Sequence, residues 1–485
     1  VDKLAGDRKL LIDGAWRSAA SGRTFATRNP ATGELLAHVA EGDSEDIDRA
    51  VAAARRAFEG PWSRMKPVER QKLLLAFADL VERHIDELMT LDTLDMGAPI
   101  IYGRSNPGRV PNMIRYYAAA ATAIHGETIP NSAAGEFFTY TTKEPVGVVG
   151  AIIPWNGPLG TTVWKLGPVL ATGCTLVLKP AEETPLTALR LGELLLEAGL
   201  PPGVVNIVTG GEAAGAALAA HPDVDKVAFT GSHVTGQKIV MASAGNLKRL
   251  TLELGGKSPD IVFADADLDA AVPGAAMAAF ANAGQVCTAG SRMFVERSIY
   301  EDFVARVAEF GARLRVGNGI DPATQIGPLV SARQLERVTG YMDIGRREGA
   351  RPLSGGVRLT DGALADGYFV APTVFAHVNN DMRIAREEIF GPVISAIPFD
   401  SVEEVIRLAN ATQFGLGGGV WTRDVGKAHR VSKAIRAGVV WVNCYNVSDP
   451  AMPFGGYKSS GYGRESGRQQ LEDYLNLKSV WIKTA

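Results

Sequence analysis

The chain is sparing with sulfur, carries almost no excess charge, and has no long apolar run. Three cysteines, at positions 174, 287 and 444, are spread over 485 residues. An odd number cannot all be bridged and no two are neighbours, which suits a reducing compartment where a lone thiol either packs or does chemistry. C-x-x-C and H-x-x-x-H spacings are missing too, so no metal site is expected. A net charge of −3 gives no electrostatic reason for a nucleic-acid or anionic-membrane partner. No uninterrupted apolar stretch approaches the roughly 20 residues of a membrane span. The opening "VDKLAGDRKLLIDGAW" mixes charges among its apolar residues and lacks a signal-peptide core. A cytoplasmic enzyme or small-molecule-binding protein is the expectation.

What is present is a regular alternation. With 46% hydrophobic residues in 485, the chain exceeds the size at which single cores stop growing, so two or three domains are expected. "SEDIDRAVAAARRAFEG" reads as a helix between a capping-type Ser44 and Gly60. From 147 onward apolar strands ("VGVVGAIIP", "TLVLKP", "VVNIVTG", "VDKVAFTG", "KRLTLELGG") alternate with helical patterns. That rhythm predicts an α/β domain with a doubly wound parallel sheet, whose ligands sit beyond the carboxyl ends of its strands. A second alternation between about 256 and 445 predicts a second core. "EFFTYTTKEPV" and "DYLNLKSVWIKT" are β-prone and break the rhythm; such strands lie at a sheet edge or pair with another chain, and the second option is the expectation.

Several polar residues follow strands. Gly231 and Ser232 stand between a strand and a helix, where free N–H groups and the helix dipole suit a phosphate, although a plain tight turn reads equally well. Lys179 and Glu182 lie just past another strand. The Glu182 carboxylate could hold ribose hydroxyls and would repel a 2′-phosphate; the alternative is a surface ion pair. Cys287, in "NAGQVCTAGSR", needs a base or an electropositive setting to attack a carbonyl. Glu253, ending "TLELGG", is a candidate base, or else a buried acid in a hydrogen-bond network. Asn156 in "AIIPWNGPLG" offers an amide donor of the kind a tetrahedral oxyanion requires, or an N-cap.

Together "PWNGPL", "KPAEETPLTAL", "FTGS", "LELGGKSP", "GQVCTAGSR", "EEIFGPV" and "PFGGYKSSGYGRE" make the chain resemble the aldehyde dehydrogenase superfamily over nearly its whole length, with the glutamate 34 residues before the cysteine. The resemblance implies a Rossmann-like NAD-binding domain (1–126 and 147–254), an α/β catalytic domain (255–460) and a β-ribbon oligomerisation segment (127–146 and 474–485). It implies Cys287 as nucleophile, Glu253 as general base, and Asn156 with the Cys287 N–H as oxyanion hole. Lys165 and Glu465 match positions that support proton removal from the base. For NAD, with NADP as the other possibility, it implies Ile153, Pro154 and Trp155 along the cleft, Lys179 and Glu182 at the adenosine ribose, and Gly231 and Ser232 at the pyrophosphate. Glu388 and Phe390 would hold the nicotinamide ribose and ring. The implied acyl pocket comprises Gly157, Trp164, Val286, Thr288, Ser448 and Phe454.

The chain departs from familiar members at Gly157 and Ser448, where aromatic residues are common. Less bulk there predicts a bulky, ring-bearing or branched aldehyde. A homodimer or homotetramer is expected. Two rival readings are a coenzyme-A-acylating dehydrogenase, against which Glu253 argues, and a non-catalytic binding protein on the same fold. "ATGCTLVL" and "VVWVNCYN" read as buried positions for Cys174 and Cys444.

Overall fold

The alternation beginning near residue 147 closes into a sheet of five parallel strands. In the computed structural model, which describes residues 7–484, these are Val148–Ile152, Thr175–Lys179, Val205–Ile207, Lys226–Thr230 and Arg249–Glu253. Positions 1–6, the start of the first expected domain, and 485, the end of the expected ribbon, lie outside the described residues. The first three strands are wholly buried, because helices cover both faces and an apolar run suits both environments. Helix Pro158–Thr172 packs Leu166 and Val169 on one face, while helix Ser44–Glu59 packs Ile47 and Val51 on the other.

Strand order decides where a ligand can enter. Val148–Ile152 lies between Thr175–Lys179 and Lys226–Thr230, so successive strands are added first to one side and then to the other. Such a switch point leaves a crevice beyond the carboxyl ends of the two central strands. Leu10–Ile12 and Ala15–Arg17 extend one edge in antiparallel fashion, and Gly461–Tyr462 extends the other beside Arg249–Glu253. That last pairing sets Gly461 opposite Glu253 and brings the segment after it over the same end of the sheet.

A second sheet has its own core, with Ile261, Phe294, Val307 and Ile394 among its buried residues. Its parallel strands run Thr373–Ala376, Val393–Phe399, Arg292–Glu296, Pro259–Val262, Gly417–Trp421 and Val439–Val442, and Arg351–Ser354 is antiparallel at one edge.

Two expectations are corrected, the cap of the first helix and the burial of Cys444. The cap of the first long helix is Asp43, not Ser44: its carboxylate accepts from Glu45 N–H at 3.1 Å, and Asp46 reaches back to Asp43 N–H at 3.3 Å. This reciprocal arrangement satisfies donors that Ser44, already helical, cannot reach. Outside these two points, the two β-prone stretches form a ribbon with each other, Phe137–Pro145 running antiparallel to Leu475–Lys483 over nine residue pairs. Cys174 is buried as expected, but Cys444 is only half-buried.

Candidate active site

Cys287 sits on a loop whose backbone is held in unusual geometry. Asn282, Ala283 and Gly284 all have positive φ, at 53°, 54° and 71°. Non-glycine residues adopt this region only when surrounding contacts fix them. The fixing side chain is Gln285, fully buried: its Oε1 accepts from Val330 N–H at 2.9 Å, and its Nε2 donates to the carbonyls of Asn282 and Pro328 at 3.1 and 3.3 Å. Its own carbonyl accepts from Asn156 Nδ2 at 3.0 Å, and Asn282 Nδ2 donates to Asn156 O at 3.1 Å. Asn156 is thus fastened to the thiol loop through one amide hydrogen, while its second hydrogen remains a donor.

Glu253 ends its strand almost completely buried, and neither carboxylate oxygen has a hydrogen-bond partner among the described residues. Burial, reinforced by the nearby Glu465, pushes its carboxyl well above the usual 4.5. Burial also pushes the Cys287 thiol up to about 12, with the negative charges of Glu388 and Glu253 adding to it. The thiol is therefore protonated at neutral pH, and the acid beside it has been raised toward it.

The two glycines after Glu253 are required by close approach. A Cβ on Gly255 would stand 2.2 Å from Glu388 Oε2, and one on Gly256 would stand 2.5 Å from the Cys287 carbonyl. Gly256 N–H donates to Glu388 Oε1 at 3.1 Å. Burial raises Glu388 to about 7, and among the described residues nothing else hydrogen-bonds its carboxylate. Glu253, Cys287 and Glu388 are thus gathered around one short stretch of backbone.

Behind Glu253 lies a buried ionic network. Lys165 Nζ pairs with Glu465 Oε1, and Gln470 Nε2 donates to Glu465 Oε2. Gln470 Oε1 accepts from Tyr117 OH and, at 2.7 Å, from Ser466 N–H. Burial raises the Glu465 carboxyl, and Lys165 pulls it back.

Directly after the first of the central strands come Ile153, buried, and Pro154 and Trp155, half-buried. Trp155 meets Phe390 edge-on at 5.2 Å, so the loop after the first strand touches the segment carrying Glu388. Lys179 is buried and lies 3.7 Å from the exposed Glu182. Ser232 caps the next helix, accepting from Thr235 N–H at 3.2 Å, and Gly231 N–H donates to Glu253 O at 3.0 Å. This set fits a dinucleotide: an edge-exposed carboxylate, a helix N-terminus at the switch point, and an unclaimed Glu388 oxygen near the thiol.

On the opposite side, Trp164 stacks on Phe454 at 5.6 Å. A Cβ on Gly157 would meet nothing within 4 Å, and the same holds for Gly160, one helical turn on. Val286 is half-buried, Ser448 is exposed, and Thr288 Oγ1 is committed to Asn446 at 2.8 Å. Sequence reading missed Gly160, Gln285, Gln470 and Tyr117. Gly160 alone had a local signal, as a glycine one turn from Gly157 in a helix; the others are explained only by distant partners.

Comparisons with known proteins show what the chain as a whole is similar to. The profile of the aldehyde dehydrogenase family matches residues 16–480. The mitochondrial aldehyde dehydrogenase of Homo sapiens is 52% identical, over 98% of this chain and 92% of its own length. The mitochondrial benzaldehyde dehydrogenase of Antirrhinum majus is 51% identical, over 97% and 88%. Among solved structures, the NAD+ complex of aldehyde dehydrogenase from Bacillus cereus superposes with a TM-score of 0.96 at 50% identity, covering 99% of this chain and 97% of that one.

Proposed function

The chain belongs to the aldehyde dehydrogenase family, and from that premise we propose that its site converts bulky, ring-bearing or branched aldehydes to carboxylic acids through a thioester on Cys287. NAD is its cofactor. The observation that carries the reading is the buried Glu253 carboxylate with no protein hydrogen bond, set beside the thiol loop. A fold gains nothing from such a group unless it serves chemistry.

Glu253, its proton affinity raised, removes the thiol proton, and Cys287 Sγ adds to the aldehyde carbon. The carbonyl oxygen becomes an oxyanion, facing the free amide hydrogen of Asn156 and the Cys287 N–H. The bound dinucleotide, placed by Trp155, Lys179, Glu182, Ser232, Glu388 and Phe390, supplies the hydride acceptor and a positive charge that favours the thiolate. Loss of hydride leaves an acyl thioester on Cys287. Glu253, having released the thiol proton to solvent, then deprotonates a water that adds to the acyl carbon; the C–S bond breaks, the sulfur regains a proton, and the carboxylate is released. Overall, aldehyde, NAD+ and water give carboxylate, NADH and two protons.

Open space beside Gly157 and Gly160, next to the Trp164–Phe454 stack, favours a wide acyl group over acetaldehyde; the relative named for benzaldehyde points the same way. The expected result is a kcat/KM for benzaldehyde above that for acetaldehyde by roughly tenfold or more, the lower end of what burying a single methylene group contributes. A clear preference for acetaldehyde defeats it. Product from coenzyme-A-supplemented assays is expected to stay free acid.

Glu182 sets the cofactor preference. A 2′-phosphate beside this carboxylate meets like charge, which lowers kcat/KM with NADP by roughly tenfold or more relative to NAD. Equal or better use of NADP in the same assay would count against that role. The ribbon exposes Phe138, Leu477 and Trp481, at 49%, 65% and 58%; these large apolar surfaces support a homodimer or homotetramer. Three free thiols suit the reducing cytoplasm.

A further inference from the structure

Lys226 is a fully buried lysine at the start of a central strand, and its Nζ has no hydrogen-bond partner among the described residues. It lies over the ring of Tyr474 at 4.7 Å from the centroid. Strand register places Lys226, Ala228 and Thr230 opposite Arg249, Thr251 and Glu253, so these side chains share one sheet face. Along that face the hydroxyls of Thr230 and Thr251 and the phenol of Tyr474 are likewise buried and unpartnered. Buried polar groups in such a row call for an explanation, and ordered water between them is the usual one.

The row ends near solvent. A Cβ on Gly463 would lie 2.5 Å from Thr251 Cγ2 and 3.3 Å from Asp473 Oδ2, so Asp473 stands over the middle of the row. Asp473 is half-buried and accepts from Arg464 N–H at 3.3 Å. The titratable groups facing Lys226 are Asp473, Glu465, Lys165 and the Cys174 thiol, which burial keeps protonated. Those facing Glu253 are Glu465, Lys165, Arg464 and Asp473, and Glu465 faces Lys165, Lys226 and Asp473. Tyr117 and Tyr474 border the same space.

We propose that Lys226 and Asp473 continue the Lys165–Glu465 pair into a proton exit, carrying the proton that Glu253 takes from the hydrolytic water out to solvent at Asp473. The step is a proton transfer only: water loses H+ to Glu253, Glu253 passes it to Glu465 and returns to its ionised form, and the proton leaves Glu465 along the buried row, past the Lys226 charge, to Asp473. Lys226 acts as a positioning residue, since its charge keeps Glu465 ionised and ready to accept. Burial lowers the Lys226 ammonium to about 8, so it still carries its charge at neutral pH. The inference rests on Glu253 being the hydrolytic base.

Stopped-flow and steady-state turnover of the full-length enzyme with NAD and benzaldehyde test it. Lys226→Met is expected to keep a full first-turnover burst of NADH and to lower steady-state turnover about tenfold, a fraction of what a whole acid–base group contributes. The acid limb of its kcat–pH profile should move to higher pH, because Glu465 loses a neighbouring cation, and Lys226→Arg should restore both. Asp473→Asn separates relay from charge tuning. Removing that anion eases Glu465 ionisation, so mere tuning gives equal or faster turnover, whereas a relay gives slower turnover with the burst intact. An unchanged Lys226→Met profile, or undiminished turnover of Asp473→Asn, overturns the proposal. Glu253→Gln, run alongside, tells the two failures apart, since steady hydrolysis by that variant would defeat the base assignment itself.

Discussion

Replacing Cys287 by alanine lowers aldehyde-dependent NADH formation by at least about 10⁴-fold and leaves NAD affinity within about twofold of the parent. The sulfur is the only group on its loop able to bond to the aldehyde carbon. Without it no tetrahedral adduct forms beside Asn156, and the oxyanion donors have nothing to stabilise. Nothing else on the loop should move. Its shape is fixed by Gln285 through Val330, Asn282 and Pro328, and none of those bonds involves the thiol. Loss of a half-buried sulfur from a loop tied elsewhere should change stability by less than about 1 kcal/mol. Absorbance of NADH at saturating aldehyde, with equilibrium titration of NAD, gives both numbers. Activity above a few per cent of the parent would remove Cys287 from the chemistry, and loss of NAD binding would show that the variant had collapsed the loop.

How much of this was readable beforehand follows from where each signal resides. The five parallel strands were legible because burial on both faces writes an uninterrupted apolar run into the local sequence, and Gly173 and Gly199 mark helix ends by their positive φ. Cys287, Glu253 and Asn156 stood out as a thiol, an acid and an amide, each with a bland alternative, and it was the resemblance to the aldehyde dehydrogenase superfamily that implied their roles together. The ribbon was half legible: both stretches showed β-propensity, but only the family resemblance put them in one ribbon, since Lys478 pairs with Glu144 across 334 positions. Long-range register carries no local mark. The same limit hid Gln285, Gln470 and Tyr117, each polar or aromatic in an unremarkable window. The glycines after Glu253 looked like turn residues. Their reason is the approach of Glu388 and of the Cys287 carbonyl, which only the assembled fold reveals. A lysine inside "VDKVAFTG" was, like Gly160, an overlooked residue with a local sign, a charge opening a strand of apolar residues.

Exchanging Glu253 for glutamine separates the two halves of the reaction and changes stability in the opposite direction to activity. Turnover is expected to fall by about 10²–10⁴-fold, the range for loss of a positioned general base. The first equivalent of NADH should still form, more slowly, with the acyl group retained on Cys287 and detectable by mass spectrometry of the intact chain. Stability follows from the same carboxyl. Its pKa is raised in the folded protein above the 4.5 of an ordinary glutamate, so the folded state favours the protonated form. Its contribution is therefore least unfavourable below about pH 4.5 and worsens as pH rises toward the folded value, where a charged carboxylate must remain buried without hydrogen bonds. A neutral amide of the same shape escapes that penalty. Glu253→Gln should raise the thermal midpoint at pH 8 by about 1–2 °C, with the gain shrinking as the comparison moves toward pH 4.5. Lower turnover with a pH-independent or falling midpoint would mean that the side chain is a structural partner whose loss damages the site. Lower turnover with a pH-dependent gain identifies a group kept at the expense of stability, the signature expected of a base whose elevated proton affinity is the property the reaction uses.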